Sequence, residues 1–102
     1  MKLELPTDRL LLQELAKGRN TGANIRADID RHRSYVNRRL TQLQDYDLVR
    51  NIGNGVYELT ERGGAALHVI NQYDQVEDFD RLVDDVVDRV TIHPPRVEIA
   101  DE

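Results

Sequence analysis

Between Arg33 and Arg62 the hydrophobic period of the sequence switches once, and that switch constrains the fold more than any other feature of the chain. At about 100° per residue, Val36, Leu40 and Leu43 fall within roughly 40° of one direction, which predicts a helix over about residues 33–46 with those side chains in a core. The opposite half of that helix carries Ser34, Asn37, Arg38 and Thr41, with Arg33 and Arg39 flanking the apolar stripe. Immediately after it, Leu48 to Ile52 and Val56 to Thr60 are strand-like runs of branched and aromatic residues around Gly53-Asn54-Gly55. Asn-Gly between two such runs is the strongest short-range hairpin signal, because both residues tolerate the positive φ that a tight turn needs.

Upstream, Pro6-Thr7-Asp8 offers capping oxygens and an early proline to a first helix over about 7–17, with Leu11, Leu12, Leu15 and Ala16 as its buried stripe. Lys17 suits the negative end of that helix, and Gly18 is the expected left-handed residue that stops it. Thr21 then caps a short helix of about 22–28, whose Ala23, Ile25 and Ile29 supply apolar contacts, and Asp30-Arg31-His32 turns into the longer helix. A short helix, a brief turn and a longer helix form a helix-turn-helix. With the hairpin attached as a wing, the expected fold is a winged helix-turn-helix, mainly α with a small β-hairpin (α+β).

Downstream, Thr60 can cap a helix through Ala65, Ala66, Leu67, Val69 and Ile70. Gly63 and Gly64 each cost that helix about 1 kcal/mol against alanine, so either its first turn is weak or the glycines permit close packing. The polar, acidic stretch 71–78 leads to a last helix over about 77–91. There Phe79, Val83, Val86 and Val90 recur at helical spacing, Leu82 and Val87 widen the stripe, and Asp80, Asp84, Asp85 and Asp88 take the other side. Pro94-Pro95 ends it, and an extended or disordered tail is expected over 92–102. The resulting division is a winged helix-turn-helix over 1–72 and an acidic C-terminal helix with its tail over 73–102. The apolar stripe (Phe79, Leu82, Val83, Val86, Val87 and Val90) either covers the core or pairs with its copy in a second subunit. Dimerisation is the favoured expectation, since one monomer on one groove face has a small interface.

A chain of 102 residues holds one small core. The absence of cysteine excludes disulfides, thiolate zinc sites and cysteine nucleophiles. His32, His68 and His93 are too scattered for metal-ligand spacing, and no nucleophile-base pair or phosphate-binding glycine loop is recognisable. Neither enzymatic activity nor a cofactor is therefore expected. No apolar run approaches the ~20 residues that span a bilayer, and MKLELPTDR lacks the features of a secretory signal, which makes a cytoplasmic location the expectation.

The net charge of −5 is unfavourable for a nucleic-acid partner until its distribution is considered. Residues 17–50 carry eight Lys/Arg against four Asp, a local +4, while residues 74–102 carry three Arg against ten acids, a local −7. The basic reading segment and the acidic end are separable in sequence.

The segment HRSYVNRRLTQLQDYDLVRNIGNGVYELTERGGAAL resembles the haloarchaeal winged-helix regulators typified by the repressor of phage phi-H. S-Y-V-N-R-R-L and Y-E-L-T-E-R-G are its most distinctive parts, and the match spans roughly residues 7–70. The resemblance implies a sequence-specific DNA-binding regulator, usually dimeric, in a cytoplasm of high salt. Two positions depart from that pattern. Asp47 stands where glycine is usual, and His32 stands where a serine-type helix cap is common, so that the cap passes to Asp30 if the helix begins earlier.

These readings converge on double-stranded DNA as the partner. Ser34, Asn37, Arg38 and Thr41 are expected at base edges, with Arg33, Arg39 and Arg50 on phosphates. Tyr35 is expected either on the backbone or at the edge of the core, and Asn54 forms the wing tip, within reach of the minor groove. The alternative is a protein-interaction module on the same scaffold. No effector-binding domain is recognisable.

Overall fold

A computed structural model describes residues 1–92 of the chain. Its elements are helix α1 (Thr7–Ala16), strand β1 (Asn20–Thr21), helices α2 (Gly22–Asp28) and α3 (Arg33–Asp45), and strands β2 (Val49–Asn51) and β3 (Val56–Leu59). Helix α4 (Glu61–Val69), a 3-10 helix (Ile70–Gln75) and helix α5 (Phe79–Ile92) complete it. This is the α+β architecture of a winged helix-turn-helix. Of the tail expected over 92–102, Ile92 belongs to α5 instead, and residues 93–102, with the stop at Pro94-Pro95, lie outside the described residues.

Helix α1 buries Leu11, Leu12 and Leu15, whereas Ala16, expected in the stripe, is exposed. No side chain caps its start at Pro6. Asp8 turns back instead: its Oδ2 accepts from the Glu4 backbone N–H at 2.7 Å while its own N–H donates to the Glu4 carbonyl at 2.8 Å. Gly18 takes φ +139°, a positive value open to glycine but away from the expected left-handed helical region. Thr21 caps α2 as expected, its Oγ1 accepting from Asn24 N–H at 3.1 Å. Ile25 and Ile29 enter the core, but Ala23 faces outward.

The sheet has three strands in the order β1-β3-β2, all antiparallel. The hairpin was legible in the sequence and β1 was not. Two polar residues show no alternation, and they become a strand only because Asn20 and Thr21 meet Tyr57 and Val56 on the free edge of β3. At the hairpin tip Gly53, Asn54 and Gly55 all have positive φ, as the Asn-Gly signal requires.

Helix α3 begins at its unconventional cap. His32 keeps the capping role, its Nδ1 accepting from the Ser34 N–H at 3.2 Å, so the cap does not pass to Asp30. At the other end Asp47 adopts φ +63°. The Leu48 N–H reaches the Leu43 carbonyl and the Asp47 N–H the Gln44 carbonyl, both at 2.9 Å, which is the Schellman pattern closed by aspartate in place of glycine.

Helix α4 resolves the glycine question in favour of close packing. A Cβ on Gly63 would lie 1.9 Å from the Leu48 carbonyl oxygen, so α4 approaches the start of β2 more closely than any larger residue allows. Its Thr60 cap holds, Oγ1 accepting from Gly63 N–H at 2.9 Å.

The apolar stripe of α5 belongs to the monomer. Phe79, Val83 and Val86 are buried in the same cluster as Leu11, Leu40 and Leu48, which corrects the expectation that these three face a second subunit. Leu82 and Val87 are half-buried beside that cluster, and the side chain of Val90 lies outside the described residues. The core therefore crosses the expected boundary at 72/73 without a break. Tyr73 stacks edge-on against Phe79 at 5.1 Å and accepts from the Leu3 N–H at 3.0 Å. Two of the four α5 acids expected in solvent are paired: Asp80 with the Met1 amino group at 2.7 Å, and Asp84 with Arg62.

Candidate nucleic-acid interface

Once Val36, Leu40 and Leu43 are buried, helix geometry fixes what α3 shows to solvent. Arg33, Ser34, Asn37, Arg38 and Thr41 are all exposed along that outer face. Three of them are held by a neighbouring side chain, each in a different way. Ser34 Oγ lies 2.8 Å from His32 Nδ1, so the cap residue also orients a surface hydroxyl. Asn37 Oδ1 accepts from Arg26 Nη1 at 3.0 Å, which ties α2 to α3 and leaves the Asn37 amide donors facing out. The Arg38 guanidinium stands 5.4 Å from the centre of the Tyr35 ring, a cation–π contact that limits its freedom without using its hydrogen-bond donors.

Arg39 is the correction at this site. Expected on phosphate, it is only 8% exposed and forms a fork on Asp8, with Nε to Oδ1 at 3.0 Å and Nη2 to Oδ2 at 2.8 Å. A third nitrogen donates to Glu4 Oε2 at 3.3 Å. Asp8 is fully buried, so this guanidinium compensates a carboxylate that water cannot reach, and the phosphate role is withdrawn. The Asp8 hydrogen bond holds the Arg39 guanidinium above its ordinary value, so it stays charged.

No sequence signal marks Glu4 at this surface. The segment before α1 runs along the flank of α3, where Tyr46 Oη accepts from the Lys2 N–H at 3.0 Å and donates to the Lys2 carbonyl at 3.1 Å. That path sets Glu4 beside the outer face of α3, with Oε1 accepting from the Tyr35 hydroxyl at 2.6 Å. The Tyr35 hydrogen bond, helped by Arg39 and Arg38, holds this carboxyl below the ordinary glutamate range. Glu4, Arg38, Thr41, Gln42 and Asp45 border a shallow groove along α3.

On the wing, Arg50 is exposed but bonded across the sheet to Glu58, and Asn54 is exposed at the tip with φ +55°. No motif singled out Arg26, which joins the outer face of α3 through Asn37, or Arg19, which stands beside Glu58 on the sheet. Among the described residues no group of three His, Cys, Asp or Glu is placed to hold a metal, and no helix is long and apolar enough to cross a membrane.

Comparison with solved structures places this geometry. A PhiH1 repressor-like protein from Haloarcula marismortui superposes with a TM-score of 0.55 at 35% identity, over 65% of this chain and 77% of that one. The chain belongs to the phiH1 repressor-like winged-helix regulators. A possible transcriptional regulator for arsenical resistance matches with the same TM-score at 33% identity, over 79% of this chain and 88% of the other. No family model matches the sequence. No curated protein matches it either. In this winged-helix regulator, α3 occupies the recognition-helix position and β2-β3 the wing.

Proposed function

We propose that the protein is a sequence-specific double-stranded DNA-binding transcriptional regulator, acting as a repressor, that reads the major groove with α3 and touches the backbone or minor groove with its wing. The observation that carries this reading is the outer face of α3, where Arg33, Ser34, Asn37, Arg38 and Thr41 are exposed together on a helix whose opposite face is locked in the core. Four of these side chains have the donors and acceptors that base edges require, and Arg33 and Arg50 suit phosphates. One of the two similar proteins is repressor-like and the other a possible transcriptional regulator, which supports the regulatory reading.

A homodimer on a palindromic operator is part of the same proposal, since two reading helices one turn apart multiply a small interface. With Phe79, Val83 and Val86 inside the monomer, the apolar residues left for such an interface include the partly exposed Leu82 and Val87. Val87 lines an open groove between α4 and α5 together with Ala65 and His68.

Selection from random duplexes tests the proposal. An enriched motif with two-fold symmetry is expected, and no enrichment at any salt concentration would return the surface to a protein partner. Arg38 is the first choice for a direct base contact, pairing bidentately with guanine O6 and N7, which discriminates by about 1–3 kcal/mol. Arg38→Ala is expected to relax preference at one position per half-site, and a specificity profile identical to wild type would remove Arg38 from the reading set.

A further inference from the structure

The sheet brings the distant Arg19 beside two charged side chains that the hairpin sets opposite each other. Arg50 on β2 stands directly opposite Glu58 on β3, and Arg19 immediately precedes β1, whose Asn20 pairs with Tyr57. The result is a row across all three strands with one carboxylate between two guanidiniums. Arg50 Nε donates to Glu58 Oε2 at 3.0 Å and its Nη2 donates to the same oxygen, while Arg19 Nη2 stands 3.9 Å from Oε1. The Arg50 and Arg19 side chains are 64% and 68% exposed, against 22% for Glu58. The two cations are thus open to an external anion, and the internal anion sits between them.

We propose that Arg19 and Arg50 form one phosphate-binding clamp on the wing, and that Glu58 is its internal competitor, which a backbone phosphate of duplex DNA must displace. The proposal rests on the DNA-binding reading above and deepens it by adding Arg19 and a specificity-determining carboxylate. A phosphate oxygen accepts from a guanidinium in the geometry that a carboxylate oxygen uses, so the exchange needs no rearrangement of the sheet. Exposed ion pairs are weak, and the exchange is within reach of a correctly docked duplex. Any duplex, whatever its sequence, must first break the row. Nonspecific affinity is therefore held down, and a stable complex requires the additional base contacts of α3.

The test uses the full chain and its Glu58→Gln variant, which removes the charge and keeps the shape. Affinity for a random-sequence duplex is measured over about 50 to 200 mM salt, where each phosphate contact contributes a slope of roughly −0.9. Glu58→Gln is expected to bind the random duplex several-fold more tightly, with a slope steeper by about one, and to discriminate the selected operator less. Adding Arg19→Ala or Arg50→Ala to that variant is expected to remove much of the gain. Unchanged affinity and slope in Glu58→Gln would overturn the proposal, and so would weaker binding, since Glu58 would then be an anchor for Arg50. If Arg19→Ala has no effect in either background, the clamp loses one jaw and the proposal fails. Should Glu58→Gln not fold, Arg19→Ala/Arg50→Ala in the wild-type background decides: equal weakening on operator and random duplexes is expected, and unaltered binding refutes the clamp. Wild-type protein that binds no duplex at all would overturn the DNA-binding reading itself; wild-type binding with an insensitive Glu58→Gln overturns only the clamp.

Discussion

Arg38 and Arg39 are adjacent, chemically identical and 100° apart on one helix, and that rotation divides surface from core. Arg38 ends in solvent over Tyr35, whereas Arg39 closes on Asp8. Removing the Arg39 guanidinium leaves a buried carboxylate unpaired, which costs about 3–5 kcal/mol. Arg39→Ala is accordingly expected to lower the denaturant midpoint sharply, and a shift no larger than that of an exposed arginine would mean that water reaches Asp8 after all. Glu4 carries a pH signature. Its folded carboxyl is held below its unfolded value, so its contribution to stability is present above the ordinary glutamate range and is lost as pH falls through the depressed folded value. Part of the acid sensitivity between those two values is expected to disappear in Glu4→Gln, measured as unfolding free energy against pH. At Asp47, φ +63° strains a non-glycine residue, and Asp47→Gly is expected to gain about 0.5–1 kcal/mol with the Schellman hydrogen bonds retained.

Helix α4 contains two consecutive glycines with opposite reasons to exist. Gly63 is required by the Leu48 carbonyl, while a Cβ on Gly64 would find only Leu59 Cδ2 at 3.9 Å. Gly63→Ala is expected to cost more than about 2 kcal/mol, since backbone must move to admit the methyl. Gly64→Ala is expected to gain up to about 1 kcal/mol from helix propensity. Thermal unfolding of the two variants gives the comparison, and equal shifts of one sign would contradict this packing of α4 on β2. Arg62 holds the same junction from its other side, with Nε donating to the Tyr46 carbonyl at 3.2 Å and a second nitrogen to Asp84. One side chain thereby links the end of α3 to α5.

At the scale of the molecule, α5 decides whether α3 has a foundation. Burying a side chain such as Phe79, Val83 or Val86 contributes about 1.5–3 kcal/mol each, and a small domain has only about 5–15 kcal/mol in total. Truncation after Asp78 is therefore expected to unfold the protein or leave it barely stable, rather than release a folded monomer. Circular dichroism of that truncation is the check; a cooperative transition at the wild-type temperature would show that the winged helix stands without α5. DNA affinity is expected to vanish with the fold, so Arg38→Ala and Arg50→Ala remain the variants that separate reading from stability.

Elements with a local cause were legible before any fold was known. The stripe Val36, Leu40, Leu43 sufficed for α3, the Asn-Gly tip for the hairpin, and Thr21 and Thr60 for two helix starts, because periodicity, turn chemistry and capping act over a few residues. The sequence also identified the outer face of α3 as the candidate interface, with Arg39 as the error there. Every pairing across distance needed the folded chain: Asp8 with Arg39, Asn20 with Tyr57, Gly63 with Leu48, and Phe79, Val83 and Val86 of α5 with their own core. An apolar stripe has the same pattern whether its partner is its own chain or another, and an arginine has the same formula beside phosphate or buried carboxylate. The partner is supplied by residues dozens of positions away, and no local pattern contains it.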